Sequence, residues 1–306
     1  MMSAATAVAA DTPKPLYLQT IEAYPVPRLQ SVSGREYKFL IDPAKTQTPV
    51  DKTFEDLWGQ VKAAAHRRGF EMTQRKGNPL KIETSTKEYF DTGDQLLWAK
   101  GYIVRVTDRN QQGAPSSAAS ITIKRIGEDV VQTLATPLAV AGIRKVKTQA
   151  EENVGFGPGG TLRGYVEKGS SFNAVLDARD NLTLGDFGRY VPELLNLGLP
   201  ADTVLVASKA FSYRIRPGKL ELPGTGSSTI SIEAWSAEAA LLPYLYEVSF
   251  GYGDVDFYNA ADTHTTGERF MTEVMREELG KLGGSETWKW GGSKVRRLMN
   301  RPLSKN

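Results

Sequence analysis

Eight charged side chains sit near the middle of short segments in which polar and apolar residues alternate: Glu36, Lys38, Arg105, Lys124, Arg214, Arg216, Glu233 and Glu247. Successive residues of a β-strand face opposite ways, so each segment carries its charge on one face and its apolar residues on the other. A face bearing Arg, Lys or Glu cannot line a dry core, because each unpaired buried charge is strongly destabilising. It can line the wet interior of a closed barrel. Gathered there, five cations and three carboxylates would hold a multiply charged anion together with a divalent metal.

The elements that must position these residues follow from the same periodicity. In Gly34–Ile41, Glu36, Lys38 and Leu40 oppose Tyr37, Phe39 and Ile41. Arg105 opposes Tyr102, Val104 and Val106, and Lys124 and Thr122 oppose Ile121 and Ile123. Segment 82–91 reads as a further strand, with 94–100 as a short helical stretch after it. Strands resume over 205–216, 229–235 and 245–251, where Arg214, Arg216, Glu233 and Glu247 share faces with small or polar neighbours. Two amphipathic helices are available to cover the apolar faces. One starts at Thr53 with Asp56 as capping acid and ends at Gly69; the other starts at Thr265 with Glu268 and ends at Gly283. Pro192 to Leu197, stopped by Gly198, reads as a third, short one. A half-exposed antiparallel sheet gives the same alternation, but surface faces usually mix many polar types, whereas here single charges recur at strand centres.

Composition narrows the field. At 306 residues with 40% apolar and 24% charged residues, the chain has the make-up of a globular protein with a sizeable core. Lys and Arg exceed Asp and Glu by only 38 to 35, so nucleic acid is not an expected partner. Cysteine is absent, which removes disulfides, thiolate metal sites and thiol nucleophiles, and His66 and His264 are the only imidazoles. No run approaches the roughly 18 apolar residues of a membrane span. The Ala-rich start lacks the basic and apolar regions of a secretion signal, so cytoplasmic location is the expectation.

The organisation expected is an irregular extension over 1–33, rich in proline, a barrel domain over 34–283 and a basic tail over 284–306. Within the domain, the pattern dissolves into Gly, Lys and Glu over about 137–180, which reads as an elaborated loop or insertion. The tail carries Lys289, Lys294, Arg296, Arg297, Arg301 and Lys305 after Glu286 with no acid between, and reads as a solvated end.

Three stretches together resemble the CYTH family, the triphosphate tunnel metalloenzymes. Gly34-Arg-Glu36-Tyr-Lys38 is similar to the opening Glu-x-Glu-x-Lys strand, and Tyr89-Phe-Asp91-Thr, followed by Gly101 and the Arg105 strand, to the Tyr-(Tyr/Phe)-Asp-Thr block and its Leu-Arg-x-Arg strand. Ile121-Thr-Ile-Lys124 is similar to the next strand, Arg214-x-Arg216 to a Lys-x-Arg strand, and Glu247-x-Ser249 to the closing Glu-x-Glu. The resemblance spans roughly 34–126 and 190–282. Gly34, Ser249 and Thr107 depart from it, standing where two carboxylates and a second arginine would be.

The resemblance implies an α+β fold, an antiparallel β-barrel tunnel of about eight strands with helices packed outside. It implies a metal-dependent phosphohydrolase acting on inorganic triphosphate or on a nucleoside or thiamine triphosphate. Lys38, Arg105, Lys124, Arg214 and Arg216 would bind the substrate, with Lys38 and Lys124 as catalytic cations, and Glu36, Glu233 and Glu247 would hold Mg²⁺ or Mn²⁺. The lost carboxylates leave open a module that binds polyphosphate or a nucleotide without turnover, and a VTC-like polyphosphate polymerase. The general base and the oligomeric state are not legible. Rival motifs are weaker. Gly155-Phe-Gly-Pro-Gly-Gly160 lacks the strand and helix of a dinucleotide fingerprint and reads as a mobile loop, and Asp254-x-Asp256 reads as a turn. His66 suits a helix end and His264 a polar loop.

Overall fold

A computed structural model of the chain describes residues 32–46, 49–109, 118–127, 129–176, 180–239, 242–253, 259–282 and 294–299. The strands are β1 Arg35–Ile41, β2 Met72–Gln74, β3 Glu83–Asp91, β4 Tyr102–Arg109, β5 Ala119–Gly127, β6 Val146–Phe156, β7 Leu162–Ala174, β8 Val206–Leu222, β9 Gly226–Ser236 and β10 Leu245–Tyr252. They pair in the order β8, β3, β4, β5, β7, β6, β1, β10, β9, and β9 pairs back onto β8. The barrel is therefore closed by nine strands, with β2 as a short rider on β8, and every edge but that rider's is paired. All pairings are antiparallel except that of β1 with β6.

Two expectations change here. The stretch 137–180 is no insertion loop: β6 and β7 are two full staves of the wall, paired with each other and with β1 and β5. Their periodicity is faint because β6 begins in exposed polar residues and carries acids on both faces, Glu151 and Glu152 being neighbours. The Gly157-to-Gly160 stretch is the hairpin turn joining them, with Gly159 and Gly160 at φ of 76° and 72°.

Helices cover the outward faces. Helix α1, Val50–Arg67, buries Phe54, Leu57, Trp58 and Val61 against Tyr37, Phe39, Val248 and Phe250, each worth about 1.5–3 kcal/mol of transfer free energy. It begins a turn earlier than expected, with Pro49 as N-cap, and Thr53 is a buried interior residue. The last long helix likewise starts early, at Ala261, and runs as α5, Ala261–Arg269, into a π-helical stretch, Phe270–Glu278. Glu268 does not cap it, because the carboxylate is drawn to Arg35. His264 lies on this helix, fully buried against the Tyr252 hydroxyl, rather than in a polar loop. Short α3, Val130–Ala135, packs on β5 and β7, and on the other side α4, Leu184–Gly188, and the 3-10 turn Pro192–Leu197 cover Val104, Val106, Ile121, Ile123 and Phe172.

Short α2, Leu96–Ala99, and α6, Lys294–Met299, sit at one mouth of the barrel. The Tyr-Phe-Asp-Thr block is structural at its acid: Asp91 accepts backbone hydrogen bonds from Thr92, Leu97 and Trp98 at 2.7–2.8 Å and so caps α2. Beneath α6, Leu298 and Met299 are buried with Leu40, Tyr89, Ile103, Trp235 and Leu245 in a cluster that plugs this mouth.

Candidate functional site

The barrel encloses a cavity of about 310 Å³. The period-two reading of the strands is decisive here, since all eight singled-out side chains line it: Glu36 and Lys38 from β1, Arg105 from β4, Lys124 from β5, Arg214 and Arg216 from β8, Glu233 from β9 and Glu247 from β10. The strands are short and their inward faces converge, so residues some 200 positions apart in sequence meet across the lumen. Lys87, Tyr165, Glu167 and Lys294 also face inward and were not anticipated. Among the described residues, seven cationic side chains thus face four carboxylates, a formal surplus of three positive charges in an enclosed space.

The charges fall into groups. Lys38 lies 2.9 Å from Glu36 and donates to the Asn153 side chain. Lys124 pairs with Glu167. It stands opposite Gly169 on β7, where a Cβ would come within 3.1 Å of the lysine Cγ, so the glycine leaves the stem room to cross the sheet. Arg214 and Arg216 share Glu83 at the far rim, Arg214 at 3.0 Å. Lys87 and Lys294 both pair with Glu233, and Lys294 also lies 2.6 Å from Glu247. Arg105 stands apart. It donates to Thr122 at 3.1 Å, its Nε is buried without an acceptor, and no described carboxylate lies within ion-pair reach.

Burial and neighbours act in opposite directions on these groups. Burial pushes the Lys87 ammonium down, and with Lys294 and Arg105 nearby it settles at about 8 despite Glu233. Burial would raise Glu233, yet Lys294 and Lys87 hold it well below the usual carboxylate range. Glu167 is likewise pushed up by burial but held down to about 2 by Lys124 and Lys38, while its neighbour Glu151, buried beside that charge, is driven up to about 8. Burial raises Glu247, Lys294 offsetting only part of it.

The donor set does not fit the expected metal as arranged. Among the described residues no three acids or imidazoles group closely enough to hold one ion. Glu36 is turned to Lys38, and Glu233 and Glu247 share the Lys294 ammonium. The departures from the motif have local reasons. At Gly34 a Cβ would lie 2.4 Å from the Tyr252 carbonyl oxygen, so no carboxylate can be placed there without moving β10. Thr107 stands directly opposite Lys87, so the neighbouring strand supplies a cation where the second arginine is missing.

The unanticipated residues differ in how far they were visible. Lys87 alternates with Tyr89 and Tyr165 with Glu167, so strand parity alone places each pair on one face. Lys294 had no such signal. It belongs to the basic tail, expected to be solvated, whose described part instead packs into the mouth of the barrel; Lys289, Arg301 and Lys305 lie outside the described residues, as do Asp254 and Asp256.

No protein-family model and no curated protein matches the chain. Several solved structures resemble its fold loosely. A candidate adenylate cyclase of Bacillus halodurans is 11% identical, covering 87% of this chain and 98% of its own at a TM-score of 0.38. A candidate adenylyl cyclase of Hippeastrum, described as having a dominant triphosphatase activity, is 12% identical over 79% of this chain and 87% of its own, at a TM-score of 0.35. A candidate adenylate cyclase of Vibrio parahaemolyticus is 10% identical over 89% and 100%, also at 0.35. Superpositions this loose do not bear on activity. Among the described residues no helix is long and apolar enough to cross a membrane.

Proposed function

We propose that the lumen binds a triphosphate-containing anion, inorganic triphosphate or a nucleoside or thiamine triphosphate, and hydrolyses its terminal anhydride. The observation that carries this reading is the surplus of cations over carboxylates among the described residues of an enclosed cavity, where Arg105 donates to Thr122 and its Nε has no acceptor. Buried cations without partners are strongly destabilising unless an anion completes them. A chain of phosphates does so, since guanidinium groups meet its oxygens in two-point contacts that a lysine does not reproduce.

In this reading Arg105, Arg214 and Arg216 hold the body of the anion, and Lys38 and Lys124 flank the terminal phosphoryl group. Water attacks the terminal phosphorus, the anhydride P–O bond breaks, and orthophosphate leaves with the shortened chain. The two ammonium groups offset the charge on the equatorial oxygens as that bond loosens. Glu247, whose Oε1 faces the Lys294 ammonium while its Oε2 accepts no hydrogen bond, takes the proton of the attacking water on Oε2. A second cavity of about 490 Å³, sharing Arg216 with the lumen and lined by Arg75, Lys76, Glu83 and Lys219, offers a basic approach from the side away from α6.

The test is phosphate release from tripolyphosphate, followed beside thermal stabilisation. Hydrolysis predicts release that is lost in Glu247→Gln while stabilisation persists, because a ligand selective for the folded state raises stability by mass action. The absence of both release and stabilisation with every triphosphate tried sinks the proposal. Binding without turnover is the second reading, favoured by the lysines that already engage Glu233 and Glu247; it predicts stabilisation with no release.

A further inference from the structure

We propose that Lys294 is the resident cation of the lumen, its ammonium occupying the place between Glu233 and Glu247 that a divalent ion would need. The inference deepens the reading of the lumen as a triphosphate site and rests on it for the identity of the anion. It makes the site one that neutralises phosphate with side chains, without a metal held by the protein.

Glu233 and Glu247 are register partners on β9 and β10, so their side chains lie on one face, directly across from each other. Two facing carboxylates in an enclosed space need a shared proton or a cation between them, and both face into the lumen, where the cation is present. Lys294 supplies it, contacting Glu233 Oε2 and lying 2.6 Å from Glu247 Oε1. The other oxygen of Glu233 takes Lys87 and the Ser212 hydroxyl, which leaves that carboxylate no open face for a metal. The Trp235 ring lies beneath both ammonium groups, 5.4 Å from Lys294 and 5.1 Å from Lys87, and walls them from water.

The cation is held by more than its charge. Four and five residues on, Leu298 and Met299 are buried in the plug cluster, and the Met299 carbonyl oxygen accepts from Gln95 Nε2 at 2.7 Å. A divalent ion would therefore compete with an ammonium tethered at high effective concentration to the same carboxylates. The third expected ligand, Glu36, is 2.9 Å from Lys38 and is not turned toward this pair.

Manganese binding to the full chain, read by the loss of the free-ion paramagnetic resonance signal, tests the assignment without phosphate or turnover. The parent should take up no Mn²⁺ at micromolar levels, and Lys294→Met, which keeps the stem against Trp235, should gain one ion per chain. Lys294→Arg, which keeps a cation, should behave as the parent. One ion bound to the parent and lost in Glu233→Gln overturns the proposal, and so does a folded Lys294→Met that binds none. Should Lys294→Met fail to fold, the parent and Lys294→Arg titrations still decide, since one ion on either refutes it. Tripolyphosphate stabilisation, measured with EDTA and with Mn²⁺, separates the two claims. Equal shifts in the parent support the resident cation, a shift only with Mn²⁺ counts against it, and no shift in either condition removes the triphosphate reading while the manganese titration still decides the role of Lys294.

Discussion

Arg35 and Glu36 are neighbours on β1, and they open onto two buried charged regions that differ in kind. Arg35 points outward, beneath α5, where it is fully buried and donates to Glu152 at 2.7 Å, Glu268 at 2.6 Å and the Tyr37 hydroxyl at 3.2 Å. The Tyr37 hydroxyl passes the chain on to the His264 carbonyl. Glu36 points inward, to a cavity where, among the described residues, seven cations face four carboxylates. The outer cluster is sealed, with its guanidinium committed to carboxylates of the protein. The lumen keeps empty volume and a cation, Arg105, that no carboxylate among the described residues completes. Buried charge alone does not mark a site; surplus charge beside a void does.

Breaking the sealed cluster should show the larger effect. Arg35→Met leaves Glu152 and Glu268 without their guanidinium and should cost about 3–5 kcal/mol of stability, seen as a fall in the denaturation midpoint. Tripolyphosphate affinity of the protein that remains folded should be unchanged. An unaltered midpoint would mean that the two regions do not differ as described.

The lumen should respond the opposite way. Arg105→Ala should weaken tripolyphosphate by roughly tenfold to a hundredfold in calorimetry, as for loss of a charge-assisted contact. Its stability without ligand should hold or rise, because an uncompensated cation has been removed. A large loss of stability with intact binding would make Arg105 a structural residue.

A pH series sharpens the contrast at Glu151. Its carboxyl keeps its proton in the folded state up to about 8, against an ordinary value of 4.5, through burial and the Glu167 charge. Between those values the folded state binds more protons than the unfolded one, so this group's contribution is complete below about pH 4.5 and is lost as pH rises through about 8. Glu151→Gln should therefore be more stable than the parent at pH 8, by about a few kcal/mol and with a higher melting temperature, and differ little near pH 4.5. A pH-independent difference would show that Glu151 is ionised like any surface carboxylate.

The smallest effect is expected at Gly169. Gly169→Ala places a methyl 3.1 Å from the Lys124 Cγ, which the lysine stem accommodates by shifting, so affinity for tripolyphosphate should drop only about two- to threefold. A loss as large as that of Arg105→Ala would place Lys124 closer to the anion than its pairing with Glu167 suggests.

Alternation by itself determined which face of each strand each charge would take, and so the membership of the lumen for Glu36, Lys38, Arg105, Lys124, Arg214, Arg216, Glu233 and Glu247. That is a local property: successive side chains of a strand point to opposite faces whatever the strand pairs with. The apolar stripes of α1 and of the last helix were legible for the same reason, although their starts were not, since Thr53 and Glu268 are used in packing and in the Arg35 cluster rather than as caps. Only the tertiary structure decided that β6 and β7 belong to the wall, that Lys87 stands across from Thr107, and that Lys294 returns from the far end of the chain to lie between Glu233 and Glu247. Pairing register, barrel closure and the choice of partner for each charge depend on distances between residues far apart in the chain, and those distances exist only once the sheet has closed on itself.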